Sequence, residues 1–256
     1  MPELPRNLRV EAVVLRHSDW GEADRVLVLF TREHGKLRCI AKGARKLHSR
    51  KAGHLEPFTR ATLMLARGRD FWIVTQAETV QPYLAIRADL TRTAHAAYAV
   101  ELLDRFTYEE GQNRALYTLL VDTLARLDTG EDIFTLVRYY ELSLLEIAGY
   151  RPELQRCVSG GETIQPQDQF FAAAGGGVLC PRCGPGTSGV KPVSLEALRY
   201  LRHFQRSSYA EARRARVPGG VQDEMAALMQ YYLTYLLERG LNTPGFIRQV
   251  GSQPEA

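Results

Sequence analysis

Along the first eighty residues apolar and polar positions come in short runs, often alternating, the two-residue period of a strand with one face buried. LRVEAVVLR (8–16) alternates and then turns wholly apolar; RVLVLFT (25–31), KLRCIAKG (36–43), ATLMLA (61–66) and FWIVTQAE (71–78) follow. Turn-rich HSDWGEAD, the hairpin candidate REHG and a tight RGRD separate several of them. Five runs rich in Val, Ile, Leu and aromatics predict a small closed or nearly closed barrel. In a five-stranded OB barrel, the segment between the third and fourth strands is the long connection, often helical.

From residue 82 the period lengthens. Leu116, Leu119, Leu120, Thr123, Leu124 and Leu127 recur at steps of three and four, as do Ile133, Leu136, Val137, Tyr140, Leu144 and Ile147. Each set is one helical stripe. Residues 89–106 contain neither Gly nor Pro and read as helix, and Thr129 with Asp132 makes a candidate capping pair. Gly111, Gly130 and Gly149 punctuate these segments, which together predict an antiparallel helical bundle. Pro, Gly and three cysteines interrupt the pattern over 150–190. Helices resume at 194–205 and 222–240, where Met225, Leu228, Met229, Tyr232 and Leu236 form a core stripe. The fold class is therefore α+β: an OB-fold barrel over 1–81, an α-helical domain over 82–150 and 191–247, and a zinc-ribbon-like insert over 151–190. The tail GSQPEA reads as disordered.

Charge sharpens the picture of the barrel. The 256-residue chain carries a formal +4. Residues 1–81 hold 15 Lys/Arg against 9 Asp/Glu, a net of +6, while the remainder nets −2. Such asymmetry marks an anion-binding module on a near-neutral body. Its centre is CIAKGARKLHSRKAG (39–53), where Lys42, Arg45, Lys46, His48, Arg50 and Lys51 occur without a carboxylate. Lys36, Arg38 and Lys42 fall at even spacing along the third strand and so share a face, one that must be wet or bound to an anion. Trp20, Phe71 and Trp72 can offer rings for base stacking, although each ring alone reads as core before it reads as a stacking platform. The set reads as a surface that tracks a nucleic-acid backbone with little base-edge readout.

The cysteines carry the other candidate chemistry. CPRC (180–183), flanked by glycines, is one half of a zinc ribbon, its backbone amides able to face thiolate sulfur. The other half should lie some twenty residues upstream, where LQRCVSGGE supplies Cys157 but has Gly160 in place of a second cysteine. Cys157, Cys180 and Cys183 thus offer three thiolates, and a non-cysteine group must complete a structural zinc site. A metal-free turn and a redox pair are the alternatives; CGPGTSG is a poor helix start for the second. Cys39 reads as a small buried hydrophobe.

The chain carries no phosphate-binding Gly-x4-Gly-Lys-Ser/Thr loop, no His-Glu-x2-His and no Gly-x-Ser-x-Gly, and its six histidines show no common ligand spacing. The acidic pairs in GED and YEEG read as solvated turns. Nothing points to an enzyme. No apolar run reaches the ~20 residues of a bilayer span, and MPELPRNLRV lacks the apolar core of a secretory signal; the chain reads as cytoplasmic, with no membrane partner.

These residues resemble a known family, the bacterial recombination mediators of the RecO type. The resemblance lies in the Gly-Glu-x-Asp turn, the Thr-x3-Gly hairpin and the Lys-Gly-x-Arg motif of AVVLRHSDWGEADRVLVLFTREHGKLRCIAKGARKLHSR, with LEPF (55–58) after them. YELSLLEIAGYRPELQRC resembles the family's helix leading into its cysteine module. The resemblance implies an OB-fold, a helical domain and a zinc-binding insert. It also implies a nucleoid-associated DNA-repair protein without enzymatic turnover. Such a protein binds single- and double-stranded DNA, anneals complementary strands, and works with RecR to place RecA on DNA coated by single-strand-binding protein. Lys42, Gly43 and Arg45 occupy the motif's own positions and take the DNA-contact role from the resemblance. Lys36, Arg38, Lys46, Arg50 and Lys51 join them from charge and placement. Gly160 departs from the family's four-cysteine pattern. An RNA-binding barrel and a cysteine redox enzyme remain as rival readings.

Overall fold

The computed structural model describes residues 6–108, 111–238 and 241–251. The first five residues of the N-terminal segment, Glu109 and Glu110 of YEEG, and residues 252–256 of the tail lie outside the described residues. The chain forms two compact units: Met1–Thr129 with Thr243–Ala256, and Gly130–Asn242.

In the first unit, β1 (Asn7–Trp20), β2 (Asp24–Thr31), β3 (Gly35–Ala41), β4 (Arg60–Arg67) and β5 (Trp72–Gln81) close a barrel in the order β1-β2-β3-β5-β4. Every pairing is antiparallel except β3 with β5, and β4 returns to β1. This is the topology of the OB fold. The long β1 makes closure possible. Its first half pairs with β4 and its second with β2, and a register shift between Val14 and Arg16 bends the strand from one partner toward the other. Leu8, Val10, Ala12 and Val14 point inward against Leu27, Leu29, Leu37, Cys39, Leu63, Leu65 and Val74.

Helices cover part of the outer face. α1 (Leu84–Ala88), α2 (Leu90–Phe106), α3 (Arg114–Thr129) and α8 (Thr243–Gly251) belong to this unit. Phe30 of β2 stacks 6.5 Å from the Tyr117 ring of α3, and the Tyr117 hydroxyl donates to Glu11 of β1 at 3.0 Å. Outward-facing Val13, Val28 and Phe30 are therefore buried as fully as the inward set. Double burial is why β1 and β2 read as apolar runs and not as clean alternation.

Two local expectations change. The β1–β2 ladder continues to Trp20 opposite Asp24, leaving only residues 21–23 for a turn that the polar HSDWGEAD had suggested was longer. Those polar strand residues extend past the barrel core, where they cost no burial. The connection from β3 to β4 holds a single 3-10 turn, Ala52–His54, and is otherwise irregular.

The second unit holds α4 (Ile133–Ile147), α5 (Leu195–Arg206), α6 (Tyr209–Ala212) and α7 (Gly219–Leu237), with β6 (Gln169–Ala172), β7 (Gly177–Leu179) and β8 (Lys191–Val193) in a small sheet of order β7-β6-β8. The helices read from sequence as one bundle are thus shared between the two units. Asp132 caps α4 by accepting from the Thr135 amide at 2.8 Å. Thr129 takes no part in that cap: its hydroxyl donates back to Ala125 and Arg126 carbonyls of α3. Glu131 pairs with Arg213 at 3.3 Å, so the GED carboxylates are structural and not merely solvated. Along α7, Met225, Leu228, Met229, Tyr232 and Leu233 are buried, while Leu236 is only half-buried. The Phe171 ring meets Tyr232 edge-on at 5.3 Å and ties the sheet to α7.

Candidate nucleic-acid interface and metal centre

The two sequence motifs of the barrel clasp one another. Asp24, the last residue of the Gly-Glu-x-Asp turn, accepts the Gly43 amide at 2.8 Å. The Arg45 amide donates to the Ala23 carbonyl at 2.9 Å, and its guanidinium reaches the Gly21 carbonyl at 3.1 Å and Asp19 at 3.2 Å. Gly43 holds φ at +67°, a left-handed conformation that a side chain would resist. The segment after β3 is therefore pinned to the β1–β2 turn at its start. Further on it is pinned to β5, where Lys51 donates to the Val74 carbonyl at 3.0 Å and His54 Nδ1 lies 2.7 Å from the Thr79 hydroxyl.

Between these two anchors the loop faces solvent. Lys46, Leu47, His48 and Arg50 are exposed, as are Arg38, Lys42 and Arg45 beside them. Leu47 is 94% exposed. Carboxylates nearby are partly committed: Glu56 is bound by Arg25 at 2.9 Å with His17 at 3.4 Å. Burial pushes the Glu56 carboxyl up, but those two partners outweigh it and hold it below the usual range. Trp20, 56% exposed, stands at the edge of the clasp. Trp72 packs against the barrel core and Phe71 is half-buried, so of these three rings Trp20 is the most open to a base.

Lys36 requires a correction. It shares the outer face of β3 with Arg38, but α2 covers that end of the strand. Its ammonium donates to Asp104 Oδ1 at 2.8 Å and to the Asp104 and Thr107 carbonyls at 2.7 Å each. With 9% of the residue exposed and three oxygens satisfied, Lys36 is a buried ion-pair residue and has no donor left for a phosphate. The strand also ends at Ala41, so Lys42 opens the turn instead of continuing the row. Lys51 is likewise drawn toward β5, although two of its protons stay uncommitted by that bond.

In the second unit, the sulfurs of Cys157, Cys180 and Cys183 lie within 4.8 Å of one another. Two tight turns make this cluster. The Cys157 amide donates to the Glu162 carbonyl at 2.9 Å and closes the first; the Cys183 and Gly184 amides donate to the Cys180 carbonyl and close the second. The amides of Gly160 and Cys180 both point at Cys157 Sγ, at 3.4 Å. Burial pushes the Cys157 thiol up, but these amides and that of Ser159 outweigh it and bring it down to about 7. The Cys180 and Cys157 sulfurs beside Cys183 push that thiol up to about 11, as expected where several thiols would share negative charge. Such a donor set fits a thiolate-binding metal. Turns, and no helix, follow Cys183, so the arrangement lacks the helix N-terminus that activates a thioredoxin-like pair. Cys39 is buried in the barrel core, where desolvation drives its thiol up.

Sequence reasoning missed Glu162. Its Oε1 lies 3.5 Å from Cys180 Sγ and accepts from Arg182. A side chain at position 160 would place its first carbon 1.9 Å from Glu162 Oε2. The SGGE stretch carried the signal: a carboxylate two residues beyond the absent cysteine.

A closed OB barrel with a basic loop, joined to helices and a three-cysteine module, defines an α+β protein of the OB-barrel class. Family models described as "Recombination protein O N terminal" and "Recombination protein O C terminal" match residues 6–83 and 87–244. The chain is 40% identical to a DNA repair protein RecO of Roseiflexus sp. (strain RS-1), covering 96% of this chain and 86% of that one. It is 36% identical to a DNA repair protein RecO of Desulforudis audaxviator, covering 96% and 98%, and 34% identical to one of Dehalococcoides mccartyi, covering 92% of each. The chain belongs to the RecO family, and its work lies in DNA repair and recombination. Among the described residues, no helix is long and apolar enough to cross a membrane.

Proposed function

We propose that this chain is a non-enzymatic recombination mediator that binds single- and double-stranded DNA without sequence preference and anneals complementary strands. With RecR, it helps load RecA onto DNA coated by single-strand-binding protein, in the cytoplasm at the nucleoid. The observation that carries the reading is the group of exposed cations Arg38, Lys42, Arg45, Lys46 and Arg50 on the β3 end of the barrel and its anchored loop. Gly43 shapes that loop, and Lys51 borders it. Annealing needs no fuel: cations that neutralise phosphates on two strands lower their repulsion, and base pairing supplies the free energy. Trp20 adds a ring on which any base can stack.

Cys157, Cys180 and Cys183 would hold a structural zinc ion, which would tie the two turns of their module together and supply no step of the annealing.

The test is annealing of complementary oligonucleotides by wild type and by Lys42→Glu/Lys46→Glu, two exposed positions outside the clasp. Loss of annealing in a folded variant supports the reading. Annealing retained places DNA elsewhere. If about five phosphates are neutralised on a single strand, log affinity falls against log salt with a slope of about −3.5. A near-zero slope sinks the basic-loop assignment, and preference for RNA over DNA of equal length would favour an RNA-binding role.

A further inference from the structure

A structural zinc site wants four ligands, and the cysteine cluster supplies three. The turn that presents Cys157 also returns Glu162 to the same place. The Cys157 amide binds the Glu162 carbonyl, and Gly161, at φ +76°, makes the reversal between them. Glu162 then lies against Cys180 Sγ at 3.5 Å, at the edge of the three-sulfur cluster.

The space its carboxylate occupies is that of an absent side chain. A Cβ built on Gly160 would meet Glu162 Oε2 at 1.9 Å, Cδ at 2.8 Å and Oε1 at 3.0 Å. A residue with a side chain at 160 and the present position of Glu162 exclude one another. Gly160 stands where a Cys-x2-Cys pair starting at Cys157 would place its second thiol, so the carboxylate fills the volume nearest to that missing ligand.

We infer that Glu162 is the fourth ligand of the metal centre, its carboxylate replacing the thiolate that position 160 lacks. This rests on the proposal that the three cysteines hold an ion. Carboxylate oxygen is an ordinary zinc ligand alongside thiolate sulfur. Arg182, between Cys180 and Cys183 in sequence, donates to Glu162 Oε1. It would offset part of the negative charge that three thiolates and a carboxylate leave around a divalent cation, and orient the carboxylate as outer partners of metal ligands do.

The experiment is cobalt(II) titration of the full-length chain, stripped of metal under reducing conditions, read by thiolate-to-cobalt charge transfer and by zinc competition. Wild type should bind one cobalt per chain. Glu162→Ala should bind at least about tenfold more weakly, since even outer-shell partners of metal ligands are worth that much, and its visible bands should shift as another group takes the fourth position. Glu162→Ala combined with Gly160→Cys should regain tight binding, with charge transfer raised by about a third as four thiolates replace three. Wild-type affinity and spectrum in Glu162→Ala would overturn the assignment of Glu162 alone. No charge transfer in wild type would overturn the metal centre and the assignment with it.

Discussion

Lys36 Nζ lies 2.8 Å from Asp104 Oδ1, joining the start of β3 to the end of α2 inside the first compact unit. The two side chains are 11% and 21% exposed, and Lys36 also caps the helix end by donating to the Asp104 and Thr107 carbonyls. Lys36→Met should therefore act on stability. Removing one partner of a largely buried pair costs about 3 kcal/mol, the lower end of the usual range because Arg16 still reaches Asp104 at 3.3 Å. Urea unfolding should show that loss, while the salt slope of DNA binding stays as in wild type.

The same pair sets an acid response. Burial pushes the Asp104 carboxyl up, but Lys36 and then Arg16 outweigh it and hold the group below its ordinary value. A carboxyl lowered on folding adds stability above its unfolded value of about 3.9, and that contribution disappears as pH falls through the lower folded value. The stability difference between wild type and Lys36→Met should be constant near neutrality and narrow below about pH 4. It should not close fully, since the carbonyl bonds of Lys36 do not titrate. A difference that widened with acid would contradict the pair's role.

Lys36 also marks where sequence reading stops. The two-residue period placed it on the outer face of β3 with Arg38, and so it is. The cover over half of that face comes from α2, nearly seventy residues later, which no local pattern reports. Barrel strands were legible because short-range periodicity specifies them, and of the capping pair read at Thr129 and Asp132 only Asp132 caps a helix. The cysteine cluster was legible by spacing, while Glu162 was not: only the turn from Cys157 back to Glu162 brings the carboxylate to the sulfurs. Arg45 and Gly43 were read as DNA contacts, yet their visible bonds first build the loop.

That loop-building predicts a coupled effect at the clasp. Gly43→Ala forces a side chain into the left-handed region at a cost of about 1–2 kcal/mol. Asp24→Ala removes the acceptor of the Gly43 amide at about 1 kcal/mol. Both leave every exposed cation in place. Each should weaken single-stranded DNA binding by loosening the loop, with little change in salt slope, whereas Lys46→Ala should lower the slope by about 0.7. Fluorescence-anisotropy titrations at four salt concentrations separate the two behaviours.

Trp20 gives an optical handle on the same surface. If a base stacks on its exposed ring, single-stranded DNA should quench tryptophan fluorescence, and Trp20→Phe should keep most of the affinity. Trp20→Ala should lose about tenfold, toward the lower end of the range for one stacked base. Trp72 packs on the barrel core and serves as the internal control, since its emission should not respond. Equal affinity in all three proteins would leave the phosphate contacts as the whole of the interaction.

Metal removal tests the second unit by itself. A bound ion stabilises only the state that presents its ligands together, so stripping it should loosen residues 153–184 before anything else. Amide exchange is the suitable measurement. The amides of Gly160 and Cys180 that face Cys157 Sγ, and those of Cys183 and Gly184 that close the second turn, should lose protection on chelation and regain it with zinc. Barrel amides of β1, β2 and β3, which belong to the other compact unit, should not change. DNA annealing should likewise survive chelation. Annealing lost while the barrel amides stay protected would show that the unit holding the cysteine cluster contributes to DNA handling, and the basic loop would then be only part of the binding surface.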